Sequence, residues 1–247
     1  MQARQVYPDT AFEWMLGTVP ARVLTLSSAK AVTRIIADHG HEVHALENEL
    51  TAAHKWKSDG RINSLVATAN ALPYEPQTFD FVLIHQLFDK LNPQSTLAEM
   101  TRVLRPHGWV TVSYLARDDS VPWVHRLTDL IRTLDPEALT SNPGDKSIQA
   151  LLKSKYFPHY ENKDFRVWVP VQRAQIVEMV RTHPAVAALS DPEIAELLAK
   201  AAEIYEVAAR GAELRLPYQL RCWRASVDQN ELTTPIRFPD DALVIPI

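Results

Sequence analysis

Glycine is in short supply in this sequence: six residues in 247, against 17 prolines. Average usage of ~7% would supply roughly 17, so turns that need left-handed backbone have few residues to make them. There is one cysteine, Cys222. That excludes an internal disulfide framework and fits a reducing, cytoplasmic setting. No apolar run approaches the ~18 residues that a membrane-spanning helix requires. The opening Met1-Gln2-Ala3-Arg4-Gln5 leads to Pro8 and Asp9 rather than to an apolar stretch, so no secretory signal is expected. A basic excess is also missing: 26 Lys and Arg against 30 Asp and Glu leave a net charge of −4. Nucleic acid is therefore not the expected partner.

What is present is an ordinary globular composition, 46% hydrophobic and 23% charged, long enough to bury a full core. Phe12, Trp14, Met15 and Leu16 stand at roughly helical spacing, and Gly17 stops that helix. Arg22 to Leu26 reads as a first strand. Ser28 is the expected N-cap of a helix from Ala29 to about His39, with Val32, Ile35 and Ile36 on one face and Gly40 at its C-terminal stop. Glu42 to Glu47 is a second strand that ends on an acid. A helix over Glu49 to Lys57 and a third strand over Ile62 to Thr68 follow. Phe79 to Ile84, nearly all apolar, is a fourth strand buried on both faces. Asn92-Pro93 starts a helix that runs to Leu104, and Trp109 to Tyr114 is a fifth strand.

Such alternation means an α/β protein: a Rossmann-like, doubly wound and mostly parallel sheet of about seven strands, with helices on both faces. Beyond it, Val121 to Leu134, Arg173 to Arg181 and Pro192 to Ala209 read as helices. Phe165 to Val169 and Leu214 to Ala225 read as strands paired at the sheet edge. The expectation is one domain over residues 1–225, with a core at 21–134 and a helical and β-edge addition at 135–225. The tail, 226–247, ends Ala242-Leu243-Val244-Ile245-Pro246-Ile247 and is expected to dock on its own domain or on a second copy as a homodimer.

Several local patterns, in this order, carry a resemblance. They are Tyr7-Pro8 with Trp14, Ala71-Leu72-Pro73-Tyr74, Phe79-Asp80-Phe81-Val82-Leu83, and Glu99-Met100-Thr101-Arg102-Val103-Leu104-Arg105-Pro106-His107-Gly108. Arg117 to Val124 and Leu216-Pro217-Tyr218 with Cys222-Trp223-Arg224-Ala225 complete the series. Over residues 6 to 225 the chain resembles the class I S-adenosylmethionine-dependent methyltransferases, in particular the branch near trans-aconitate methyltransferase. The resemblance implies S-adenosylmethionine as cofactor and methyl transfer to a small-molecule or lipid-like acceptor. It departs from the family on the cofactor side. The family's V-L-D-L-G-x-G-x-G is here Val23-Leu24-Thr25-Leu26-Ser27-Ser28-Ala29-Lys30-Ala31, one residue shorter and without glycine. The acid that usually opens the loop after the third strand is Thr68, and a glycine of the family's P-G-G turn is His107. A catalytically inactive relative, serving as a binding or assembly partner, is the alternative that these departures raise.

The resemblance places the cofactor against Ser27, Ser28, Ala29, Glu47, Asn48, Thr68, Ala69, Asn70 and His85. Glu47, at the end of the second strand, would accept hydrogen bonds from ribose hydroxyls; an acid there is also an ordinary solvated residue. His85 is read as standing just past the fourth strand, where it would act as a base or orient a substrate. It is equally a structural histidine. Arg117, with Asp118, would read a carboxylate by the planar fork of its guanidinium, or close a salt bridge at a helix entry. His39, His41 and His44 cluster without the further ligands that a tetrahedral metal site needs, so no metal is expected.

Overall fold

The structure is a computed structural model, and it describes residues 7–27, 29–54, 56, 59–136 and 144–230. Ser28 and most of the apolar tail, 231–247, lie outside the described residues. So do the expectations placed on them, the Ser28 N-cap and cofactor contact and the docking or dimer-forming tail.

Seven strands form one sheet in the order β3-β2-β1-β4-β5-β7-β6. These are β1 (Arg22–Ser27), β2 (Glu42–Glu47), β3 (Ile62–Val66), β4 (Phe79–His85), β5 (Leu104–Arg117), β6 (His159–Val171) and β7 (Leu214–Ser226). The first five are parallel. β7 lies antiparallel between β5 and β6. The sheet is thus mostly parallel with an antiparallel edge. β6 runs longer than the apolar segment 165–169 suggested, because its first half is an exposed stretch that pairs with β7 throughout.

Helices cover both faces. On one side α1 (Asp9–Leu16) and α2 (Lys30–Asp38) bury Phe12, Met15, Val32 and Ile36 against Val23, Val43 and Leu83. On the other, α4 (Pro93–Val103) and α6 (Asp145–Leu152) pack Leu97, Met100, Ile148 and Leu151 against Leu24, Val82 and Val110. A third apolar group joins α5 (Pro122–Arg132), α7 (Arg173–Arg181) and α8 (Asp191–Ala209) through Val124, Leu127, Ile176 and Leu197. A short helix, α3 (Leu50–His54), follows β2. Cys222 is fully buried in β7, in register with Ser113 of β5 and Lys163 of β6.

Caps behave as their chemistry requires. The Asn92 side chain accepts from the Ser95 N–H at 3.1 Å, with Pro93 at the first helical position of α4. At α8, the Ser190 N–H donates to the Glu193 carboxylate at 2.8 Å. No helix among the described residues is long and apolar enough to cross a membrane.

Candidate functional site

Strand order reverses between β1 and β4, and in open α/β sheets ligands bind beyond the carboxyl ends of the strands at such a point. A cleft of about 780 Å³ opens there, a size that suits a cofactor or drug-sized ligand. Its wall is built from strand ends: Leu26 and Ser27 of β1, Leu46 and Glu47 of β2, then Asn48, and Val66 of β3 with Ala67 to Asn70. Leu87, Lys90 and Leu91 after β4, with Asn92, Ser95 and Thr96 at the start of α4, close the opposite side. Six of the expected cofactor residues, Ser27, Glu47, Asn48, Thr68, Ala69 and Asn70, therefore meet in one cleft. Ala29 and His85 do not line it.

The turn after β1 does its work without glycine. The Ser27 hydroxyl accepts the Ala29 N–H at 3.0 Å and donates to the Ala29 carbonyl at 3.1 Å. A side chain thereby closes on the backbone and satisfies an N–H that a bare glycine turn would leave facing the ligand. Ala29 stands at the N-cap position of α2, in extended backbone with φ −110°. Neither Ser27 nor Ala29 adopts positive φ. The contrast with the P-H-G turn is instructive. There His107 keeps φ 64°, in the left-handed region where the family pattern has glycine. Its neighbour Gly108 has no room for a side chain, since an added Cβ would lie 2.9 Å from the Arg105 carbonyl oxygen.

Glu47 is half-buried on the cleft wall, and one carboxylate oxygen accepts the Trp56 indole N–H at 2.6 Å. Lys30, on the first turn of α2, lines the cleft with its Nζ 5.5 Å from the centre of the Trp56 ring. The floor is pinned from α4. Arg102 holds Glu99 at 2.7 and 2.9 Å and donates to the carbonyls of Leu72 and Tyr74, while Glu99 accepts the Leu72 N–H. This ion pair draws the Glu99 carboxyl below its ordinary range, the Arg102 hydrogen bonds leading and the Leu72 N–H adding to them. The E-x-x-R spacing thus fastens the loop carrying Thr68 to Asn70 onto α4, where i and i+3 share a face.

His85 needs correction. It is the last residue of β4, not a residue just past it, and it is only 1% exposed. Its ring contacts the Tyr7 hydroxyl at 3.0 Å and the Ser113 hydroxyl at 2.9 Å. Burial pushes its pKa down to about 4, so it is neutral near pH 7. It ties the segment just before α1 to the sheet and does not line the cleft.

Arg117 ends β5. Its Nη2 donates to the Met179 sulfur at 3.1 Å, whereas Nε and Nη1, both buried, have no hydrogen-bond partner among the described residues. Burial lowers its pKa, opposed by the neighbouring Tyr218 and Asp119. Asp118 beside it is committed inward, to the N–H and hydroxyl of Ser120 and to Arg166 at 3.2 Å. The three histidines part company: His39 bonds the Ile35 carbonyl, His44 bonds Tyr74 and Glu42, and His41 is buried alongside His39. Among the described residues no three His, Cys, Asp or Glu side chains converge as a metal site would need.

Trp56, Lys90, Asn92, Ser95 and Thr96 were not among the residues expected at the site. The signal for the last four was positional, since they follow the carboxyl end of a strand beside the switch point. Trp56 had none, because its role depends on the path of the chain after α3.

Comparison with known proteins shows what this chain is similar to. A family model described as a methyltransferase domain matches residues 27–112, from the end of β1 into β5. An uncharacterized methyltransferase of Mycobacterium tuberculosis is 31% identical over 140 residues, which cover 55% of this chain and 57% of that protein. One of Schizosaccharomyces pombe is 30% identical over 136 residues, 52% and 54% of the two chains. The chain spans little more than half the length of these relatives. Among solved structures, a candidate type II methyltransferase from Anaeromyxobacter dehalogenans superposes with a TM-score of 0.69 at 19% identity, covering 92% of this chain and 97% of that one. A candidate methyltransferase of an antibiotic biosynthesis pathway from Anabaena variabilis gives 0.62 at 16% identity, over 92% and 100%. At such identities the likeness is one of fold.

Proposed function

We propose that this chain is a class I S-adenosylmethionine-dependent methyltransferase that transfers a methyl group to a small, acidic or lipid-like acceptor; the methyltransferase-domain match over residues 27–112 and the shared fold support that reading. The observation that carries the reading is the cleft at the strand-order switch with Glu47 on its wall. When bound, S-adenosylmethionine supplies an electrophilic methyl group on a sulfonium, open to direct displacement. The residues present fit it. Glu47 keeps one carboxylate oxygen clear of Trp56 for ribose hydroxyls, and Thr68 and Asn70 offer polar groups beside the buried Ala69. Leu26, Leu46 and Val66 give the same wall an apolar part.

Displacement asks chiefly that donor and acceptor be aligned and that water be excluded. On the acceptor side, Arg117 supports recognition of a carboxylate, because its buried Nε and Nη1 have the neutral Tyr218 hydroxyl nearby but no aligned hydrogen bond, and a ligand carboxylate would meet them better. The single thiol at Cys222 fits a cytoplasmic setting.

Calorimetric titration with S-adenosylmethionine and S-adenosylhomocysteine tests the reading. Micromolar binding is expected, weakened about tenfold or more in Glu47→Ala, the loss of hydrogen bonds to a charged acceptor. No binding to the wild-type protein, at concentrations where the folded state is verified, would sink it.

A further inference from the structure

Glu47 does not stand alone on the cleft wall. Its Oε1 takes the Trp56 indole N–H at 2.6 Å, a short bond of the kind made to a charged acceptor. Trp56 is 2% exposed, does not line the cleft, and packs with Val32, Ile36 and Val43 beneath α2. Its ring also lies 5.5 Å from the Lys30 ammonium and 5.6 Å from the Arg34 guanidinium carbon. A cation held against the π face draws electron density from the indole and makes its N–H a stronger donor. The side chain therefore couples two positive charges on α2 to one carboxylate at the end of β2.

We propose that Trp56 is the positioning residue of the nucleoside site: it locks the rotation of the Glu47 carboxylate so that the free oxygen meets a ribose cis-diol, and the site thereby prefers ribonucleosides to their 2′-deoxy forms. The proposal rests on the nucleoside-binding reading above and sharpens it. A carboxylate on a flexible glutamate would lose rotamer freedom on binding and repay little of what each hydroxyl offers. One that is already fixed, with one oxygen bonded and the other open, pays that cost on folding. Selectivity follows from the same geometry, because a ligand without the 2′-hydroxyl leaves part of a pre-aimed acceptor without a donor. A Trp56 that merely fills the core would help both ligands equally.

The test compares S-adenosylhomocysteine with its 2′-deoxy counterpart by calorimetry, in wild type and in Trp56→Phe, which keeps an aromatic ring and removes the N–H. Wild type should favour the ribose form, and the variant should shrink that preference by about tenfold, the effect expected of one hydrogen bond to a charged group. An undiminished preference in Trp56→Phe overturns the proposal while leaving the nucleoside reading intact. Wild type that binds neither ligand overturns both. Should the variant fail to fold, the wild-type Trp56 indole N–H resonance, identified by its contacts to Lys30 and Arg34, gives a second readout. It should move further with the ribose ligand than with the deoxy one; equal movement, or none, overturns the assignment.

Discussion

His85 shows how much one buried imidazole sets for this molecule. Its ring contacts, the Tyr7 and Ser113 hydroxyls and the Gln86 amide, are all neutral, and burial alone sets its shift, with no charged neighbour to support a proton. With a folded pKa of about 4 against an ordinary value of 6.5, the unfolded chain binds the proton more readily between those values. Stability from this residue is therefore present above about pH 6.5 and is lost as pH falls toward 4. Between pH 7 and pH 5 the loss should be about 2 kcal/mol. Urea unfolding at both pH values should show it in wild type and not in His85→Gln, and an equal pH response in the two proteins would contradict the assignment. Thr25 makes a related point. Its hydroxyl is buried without a hydrogen-bond partner among the described residues, at the position where the family pattern that the sequence resembles has an acid. A neutral threonine bears that burial far more cheaply than a carboxylate would.

At the scale of elements, the rim of the cleft is braced from a distance. The Tyr114 hydroxyl accepts the Asp89 N–H at 2.8 Å, next to Lys90 and Leu91 of the lining. The ring of that tyrosine occupies the space where a Cβ on Gly144 would stand, and Gly144, at the N-cap of α6, has φ 80°. Gly144→Ala should therefore destabilise by at least ~1–2 kcal/mol, from left-handed strain and a ring that must move. A thermal melt checks this, and an unchanged Tm would show that the ring yields freely. The strand and helix pattern was legible in the sequence because its signals are local: apolar runs, Asn92-Pro93, Gly40 after α2. Glu47, Asn48 and Thr68 to Asn70 were legible for the same reason, since each follows a strand whose end is visible. His85 was not, because a residue at a strand's last position faces either the cleft or the core according to register and to what α1 lays against it. Trp56 was hidden for a different reason. Its partner is nine positions away, across a helix and a turn whose geometry local propensity does not set.

Over the whole molecule, the two halves of the sheet divide the labour. The parallel half supplies the cleft at the strand-order switch. The antiparallel strands β6 and β7, with α7 and α8, bring Met179 and Tyr218 around Arg117. The two meet at β5, paired with β4 on one side and with β7 on the other. Cys222 sits in β7, held between two strands, with burial pushing its thiol pKa well up. The chain thus carries one chemical stopwatch at the seam between its halves. A thiol reagent can mark Cys222 only when β7 parts from its neighbours, so the labelling rate times the opening of the sheet. Nucleoside ligand at 100 times its Kd should slow labelling about a hundredfold if the halves open together. An unaltered rate would mean that the antiparallel half peels away alone, with the cleft still shut behind it.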